Sequence, residues 1–230
     1  MASRKVQKEK LRRERLERER AEAASSARRR RMGYVVAGAL VAAVAIALVA
    51  IAMASGGGSD SSSVASGKFP SAGSLPKRKE TDLDAAAKAA GCTLKTLKSE
   101  GRGHTTKTVK YKSEPPTSGS HNPVPAHDGA YTKNPGEEHL VHALEHGRVV
   151  IWFKPDAPAS VRGALKKLYD EDKALVILTP NARPMPYEVA ATAWTQLLGC
   201  PNYNDRVPDA LRAFRDAYRL KGPEYFPNAE

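Results

Sequence analysis

The chain has 230 residues, 41% of them hydrophobic, and a formal net charge of +12, which leaves room for one ordinary globular domain plus extensions and excludes a wholly disordered protein. The charge is lopsided: residues 1–32 hold 13 Lys/Arg against 5 Asp/Glu, while the other 198 residues hold 24 against 20, so the body of the chain lacks the basic surface of a nucleic-acid binder. With 2 Cys, neither a zinc ribbon nor a small multi-disulfide scaffold can be built.

The basic tail, residues 1–32, mixes signs at helical spacing, as in Glu9 with Arg13 and Glu14 with Arg18, and offers Val6, Leu11 and Leu16 as its few apolar positions. It cannot bury a core. Its cations suit anionic lipid headgroups, each contributing about 1 kcal/mol near the surface; a solvated tail that only fixes topology is the alternative. Residues 33–54 form a run of 22 without a charge, about 33 Å of helix at ~1.5 Å per residue against a hydrocarbon core of ~30 Å. This reads as a single transmembrane helix. Arg28 to Arg31 precede it and Ser55 to Ser63 hold one Asp and no cation, which puts the N-terminus in the cytoplasm and residues 55–230 outside the plasma membrane. Ala52-Met53-Ala54 has the small-x-small form of a signal-peptidase site, but the segment before the span is too long for the usual leader, so the span is expected to be kept as a signal anchor. Residues 55–79 form a Gly/Ser-rich flexible linker, with 8 Ser and 5 Gly between Ser55 and Ser74.

Residues 80–230 carry the periodic signals of an extracytoplasmic globular domain. Thr81 with Asp84 can start a short helix that Gly91 ends. Thr105 to Lys112 alternates as a half-buried strand with Val109 and Tyr111 inward, and the proline-rich Pro115 to Pro135 is an irregular loop of a length that usually signals function. Glu137 to His146 follows as a helix closed by Gly147, then Val149 to Phe153 as a buried strand. Pro158 to Asp172 and Pro208 to Leu220 show helical spacing at Val161, Leu165, Leu168 and at Leu211, Phe214, Tyr218, while Ala174 to Leu178 and Val189 to Leu198 read as two more strands. The alternation defines an α/β or α+β layered domain of about 150 residues, its sheet mixed or antiparallel.

Cys92 and Cys200 both fall on the oxidising side, so a disulfide is the preferred reading, with a metal-ligating thiolate or two buried thiols as alternatives. A Cα separation beyond about 7 Å would exclude the bridge. All 6 His lie between residues 104 and 146, the bias of a metal-binding segment. His139, His142 and His146 are spaced three and four apart on one helix face, where imidazoles can converge on zinc or copper. His142-Ala-Leu-Glu145-His146 also matches H-x-x-E-H, in which Glu145 would be the general base of a zinc metallopeptidase. That chemistry needs a helix running on through both His and a third carboxylate, for which Glu224 is the one late candidate.

The run Pro115-Pro116-Thr117-Ser118-Gly119-x-His121, then Gly129-x-Tyr131, then His142-x-Leu144-Glu145-His146-Gly147 leading into a strand resembles a bacterial, mostly actinobacterial, family known as domain of unknown function 3105, over roughly residues 90–224; Ala193-Trp194 before Cys200 fits it too. The resemblance implies a basic N-terminal tail, one span and an outer domain, brings no activity, and draws attention to His104, His121, His142 and His146, with His127 and His139 outside the pattern.

Two readings follow. In the first, the outer domain holds a metal ion, zinc or copper, through His142 and His146 with His121 and His104 completing a four-coordinate site, and Glu145 or Glu138 orients an imidazole from behind. In the second, the domain is a non-enzymatic envelope interaction module whose proline loop exposes Tyr131 and His127, and whose histidines only pack and hydrogen-bond.

Overall fold

The structure is a computed structural model that describes residues 68–224. The basic tail, the run 33–54 and residues 55–67 of the expected linker lie outside the described residues, and among the described residues no helix is long and apolar enough to cross a membrane.

The first described element is helix α1, Leu83–Ala90. Its cap is Asp82 and not Thr81: the Asp82 carboxylate accepts from the Ala85 amide at 2.8 Å, while the Glu80 carboxylate accepts from the Thr81 and Asp82 amides just before the helix. Gly91 closes the helix at φ 68°, a left-handed position that suits glycine. Ala86, Ala87 and Ala90 face inward, and their small size lets α1 lie against the last helix. Packing begins before Glu80: Phe69 and Leu75, within the expected linker, are partly buried against the same core.

The remaining elements are β1 (Thr93–Thr96), β2 (Gly129–Ala130), α2 (Glu137–Glu145), β3 (Val149–Phe153), α3 (Ala159–Glu171), β4 (Val176–Pro180), β5 (Val189–Ala193), β6 (Gln196–Cys200) and α4 (Val207–Tyr218). They build one mixed sheet in the order β1-β6-β5-β3-β4-β2, with β2, β4 and β3 parallel and the β3-β5-β6-β1 half antiparallel. The domain is therefore a mixed α and β layer structure. Alternation along the strands sends Val149, Ile151 and Phe153 to a face covered by α1, α3 and α4, and Val150 and Trp152 to a face covered by α2 and the proline loop. Both faces are buried, which is why β3 and β4 read as unbroken apolar runs.

Two expected strands are different in the structure. Val189 to Leu198 is a hairpin, β5 and β6, turning at Trp194-Thr195 with Thr195 at φ 61°. No glycine marks that turn; its backbone is held from outside by Thr195 N–H to Thr117 O at 3.0 Å and Leu97 N–H to Thr195 O at 2.8 Å. Thr105 to Lys112 is irregular and not a strand. Its alternation comes from separate anchors, with the Glu138 carboxylate accepting from Val109 N–H, the Glu100 carboxylate from Lys112 N–H, and the buried Tyr111 hydroxyl donating to Ser120 O.

Cys92 and Cys200 are joined by a disulfide with Cα atoms 4.2 Å apart. The antiparallel register Thr93↔Gly199 of β1 and β6 brings the two residues opposite one another.

Within the second apolar layer, Trp152 donates its indole N–H to Thr192 Oγ1 at 2.8 Å, with both residues fully buried. Thr192→Val keeps the shape and removes the acceptor, so urea unfolding is expected to show a loss of about 1–3 kcal/mol, the desolvation cost of an orphaned buried donor.

Candidate metal centre

Helix α2 lies under the proline loop, and its inward face carries His142 and Glu145 one turn apart, with His146 at its C-terminal end. The loop delivers His121, and the preceding segment delivers His104. These two backbones run side by side, with Thr105 N–H donating to His121 O at 2.7 Å and His121 N–H to Gly103 O at 3.0 Å, which sets the two rings 4.9 Å apart.

The donors of His104, His121, His142 and Glu145 come together, one ligand atom from each lying within 4.8 Å of all the others. This group could hold a metal ion. His146 stands beside it, its Nε2 2.8 Å from His142 Nε2. His139 and His127 do not take part: His139 is tied through Nδ1 to Val124 O at 2.7 Å, and His127 is exposed in the loop. Glu138 is spent on the 105–112 segment.

Backbone carbonyls orient the rings. Nδ1 of His121 meets Gly119 O at 2.9 Å, Nδ1 of His142 meets Asn122 O at 2.6 Å, and Nδ1 of His146 meets Glu224 O at 3.1 Å. A carbonyl only accepts, so the proton of each neutral ring sits on Nδ1 and the Nε2 lone pair is left free. That is how imidazoles are held when they ligate a metal. It also leaves His142 and His146 presenting two lone pairs to each other at 2.8 Å, a contact that becomes attractive only with a cation bound by one or both nitrogens. Burial pushes the His142 imidazole down to about 4, with the hydrogen bond to Asn122 opposing it and repulsion from His121, His146 and His104 adding to it, so at neutral pH the His142 ring is neutral and offers its Nε2 lone pair.

Glu145 is 1% exposed, and neither carboxylate oxygen has a hydrogen-bond partner. His121 Nε2 lies 2.9 Å from Glu145 Oε2 without forming a hydrogen bond, a pair whose charges attract when the ring is protonated and whose two atoms can otherwise share one ion. A buried carboxylate left in this state is costly unless a cation compensates it. The carboxylate therefore belongs with the donors, a role the sequence reading gave to orienting a ligand from behind or to a metallopeptidase base. The spacing i, i+3 from His142 on one helix was the available signal.

The C-terminal strap fixes the end of α2. Leu220 N–H donates to Gly147 O at 2.8 Å and Glu224 N–H to Glu145 O at 3.0 Å. Gly222 fits where a Cβ would meet the Glu145 carbonyl oxygen and the Gly147 amide nitrogen, so only glycine allows this approach. Glu224 thus serves the site through its backbone, while its carboxylate lies 3.8 Å from Arg102. Helix α2 ends at Glu145, with His146 as its cap, so it does not run on through both His as the H-x-x-E-H peptidase arrangement requires. Tyr131 is 3% exposed and donates its hydroxyl to His127 O, so it is not available on the loop surface.

A mixed-sheet domain with an internal His/Glu group able to hold an ion is the class these features define. The chain belongs to the family described as "Protein of unknown function (DUF3105)", which matches residues 104–229 and so takes in His104, His121, His142, Glu145 and His146. Neither a curated protein nor a solved structure matches the chain.

Proposed function

We propose that this chain is a single-pass, N-in membrane protein whose extracytoplasmic domain binds one divalent transition-metal ion, zinc or copper(II), through His121, His142, Glu145 and His104, with His146 backing His142. The observation that carries this reading is the buried Glu145 carboxylate, free of hydrogen bonds and grouped with one ring nitrogen from each of three imidazoles. Imidazole and carboxylate suit zinc and copper(II), while the soft ligands that select copper(I) are missing from the group. Cys92 and Cys200 are consumed by their bridge, and Met185, in the described residues, lies in the apolar core. Four protein ligands around one ion make a closed site, which is a binding or structural centre in preference to a catalytic one. The uncharged run 33–54, the basic run before it and the disulfide support the orientation, and the tail is suited to anionic headgroups.

The test is metal analysis of the full chain purified in detergent, followed by zinc and copper(II) titration after chelation. The expected result is one ion per chain, lost in His142→Ala and Glu145→Gln and retained in His139→Ala, whose ring is tied elsewhere. Wild-type protein that takes up neither metal would sink the reading.

A further inference from the structure

A cavity lies at the carboxyl ends of the parallel strands. In open sheets with parallel strands, ligands bind in the crevice outside the carboxyl ends of those strands, where successive connections leave toward opposite faces. Here β2 is followed by α2 on one face, and β3 by α3 on the other. A cavity of about 280 Å³ opens there, lined by residues that follow each of the three parallel strands. The strand exits are tied together, Asn134 Nδ2 donating to Pro180 O at 3.0 Å and Asn181 N–H to Phe153 O at 2.8 Å.

Its lining has a defined chemistry. Lys68, Lys133 and Arg162 contribute three cations and no carboxylate lines it. Arg162 sits in the first turn of α3, a turn with no acidic residue and no side-chain cap, and its Nε is buried without a partner. Phe69 and Phe153, packed edge to face at 6.2 Å, form an apolar wall. The segment bearing Lys68 and Phe69 is seated because Gly163 has no Cβ; one would stand 2.7 Å from Pro70 O. Asn181 adds an acceptor: it is 1% exposed, its Nδ2 is used on Glu114 and on Arg183 O, and its Oδ1 has no partner.

We infer that this cavity binds a hydroxylated phosphate ester, the phosphate held by Arg162, Lys133 and Lys68 and a hydroxyl donating to Asn181 Oδ1. A guanidinium and ammonium groups without a competing carboxylate select an anion, and an orphaned buried acceptor selects a ligand that also carries a donor. The same chemistry is offered by a free glycerol phosphate and by the headgroup of a glycerophospholipid. This assignment is independent of the metal centre.

The experiment is titration calorimetry of the full chain in detergent with glycerol 3-phosphate and with inorganic phosphate, paired with titration of short-chain, micelle-free phosphatidylglycerol and phosphatidylcholine. Saturable binding of glycerol 3-phosphate, tighter than that of inorganic phosphate, is expected. It should weaken about tenfold or more in Arg162→Gln and in Lys133→Gln, as loss of a charge-assisted contact implies, and stay unchanged in Lys88→Gln, an exposed cation on α1. Lys133 is exposed, so its variant reads binding without a folding defect. Binding confined to short-chain phosphatidylglycerol and reduced by the same two variants assigns the site to a lipid headgroup. Binding of neither probe, binding indifferent to both variants, or inorganic phosphate binding as tightly as the ester overturns the inference.

Discussion

Replacing Cys92 and Cys200 together by Ala is expected to lower the free energy of unfolding by about 4–5 kcal/mol, the chain-entropy value for a closed loop on the order of 100 residues. The bridge spans a sequence separation of 108, and a loss of that size is a large part of the ~5–15 kcal/mol that a domain has. Local structure makes the dependence sharper. β1 has four residues, is mostly exposed and pairs with β6 alone at the edge of the sheet, so little besides the bridge and α1 holds it. Urea unfolding of oxidised wild type, reduced wild type and the double variant is the measurement. The reduced protein and the variant should agree with each other and unfold well before the oxidised protein. Identical midpoints for oxidised and reduced wild type would mean that no bridge forms in solution, and would remove a support for the extracytoplasmic location proposed above.

The elements that could be read in advance are those whose periodicity answers to one partner. Val161, Leu165 and Leu168 on α3, and Leu211 and Phe214 on α4, are buried on the sheet face that their spacing implies. Val149 to Phe153 is apolar throughout because both sheet faces are covered. What misled was structure held from a distance. The turn at Thr195 looks like strand because its unfavourable φ is compensated by Thr117 and Leu97, far away in sequence, and not by a local glycine. The alternation of Thr105 to Lys112 mimics a strand because two remote carboxylates and one hydroxyl happen to anchor it. The site follows the same division. His104, His121, His142 and His146 stand out by residue type and spacing, whereas the role of Glu145 depends on how α2 packs beneath the proline loop, and the ring orientations depend on the carbonyls of Gly119, Asn122 and Glu224. Tyr131 followed the same rule: its aromatic ring went to the core against α2 and its hydroxyl found a carbonyl, so of the two loop residues expected to be exposed only His127 is.

Glu145→Gln is expected to separate metal binding from stability. In the metal-free protein the Glu145 carboxylate is 1% exposed and lacks any hydrogen bond, and among the described residues its one ion-pair neighbour is His121, with Nε2 at 2.9 Å. An amide of the same shape removes the charge and supplies an N–H for that nitrogen, so the metal-free variant should unfold at a urea concentration equal to or above that of the metal-free wild type. With zinc present the order should reverse. A ligand that binds only the folded state stabilises it by about 2.7 kcal/mol at a hundred times its Kd, and wild type alone should gain this, while Glu145→Gln and His142→Ala should show little shift. The paired unfolding curves, with chelator and with zinc, therefore distinguish a metal centre from a buried polar cluster kept for packing. A cluster kept for packing would be destabilised by Glu145→Gln under both conditions and would leave the wild-type curve unmoved by zinc or by copper(II).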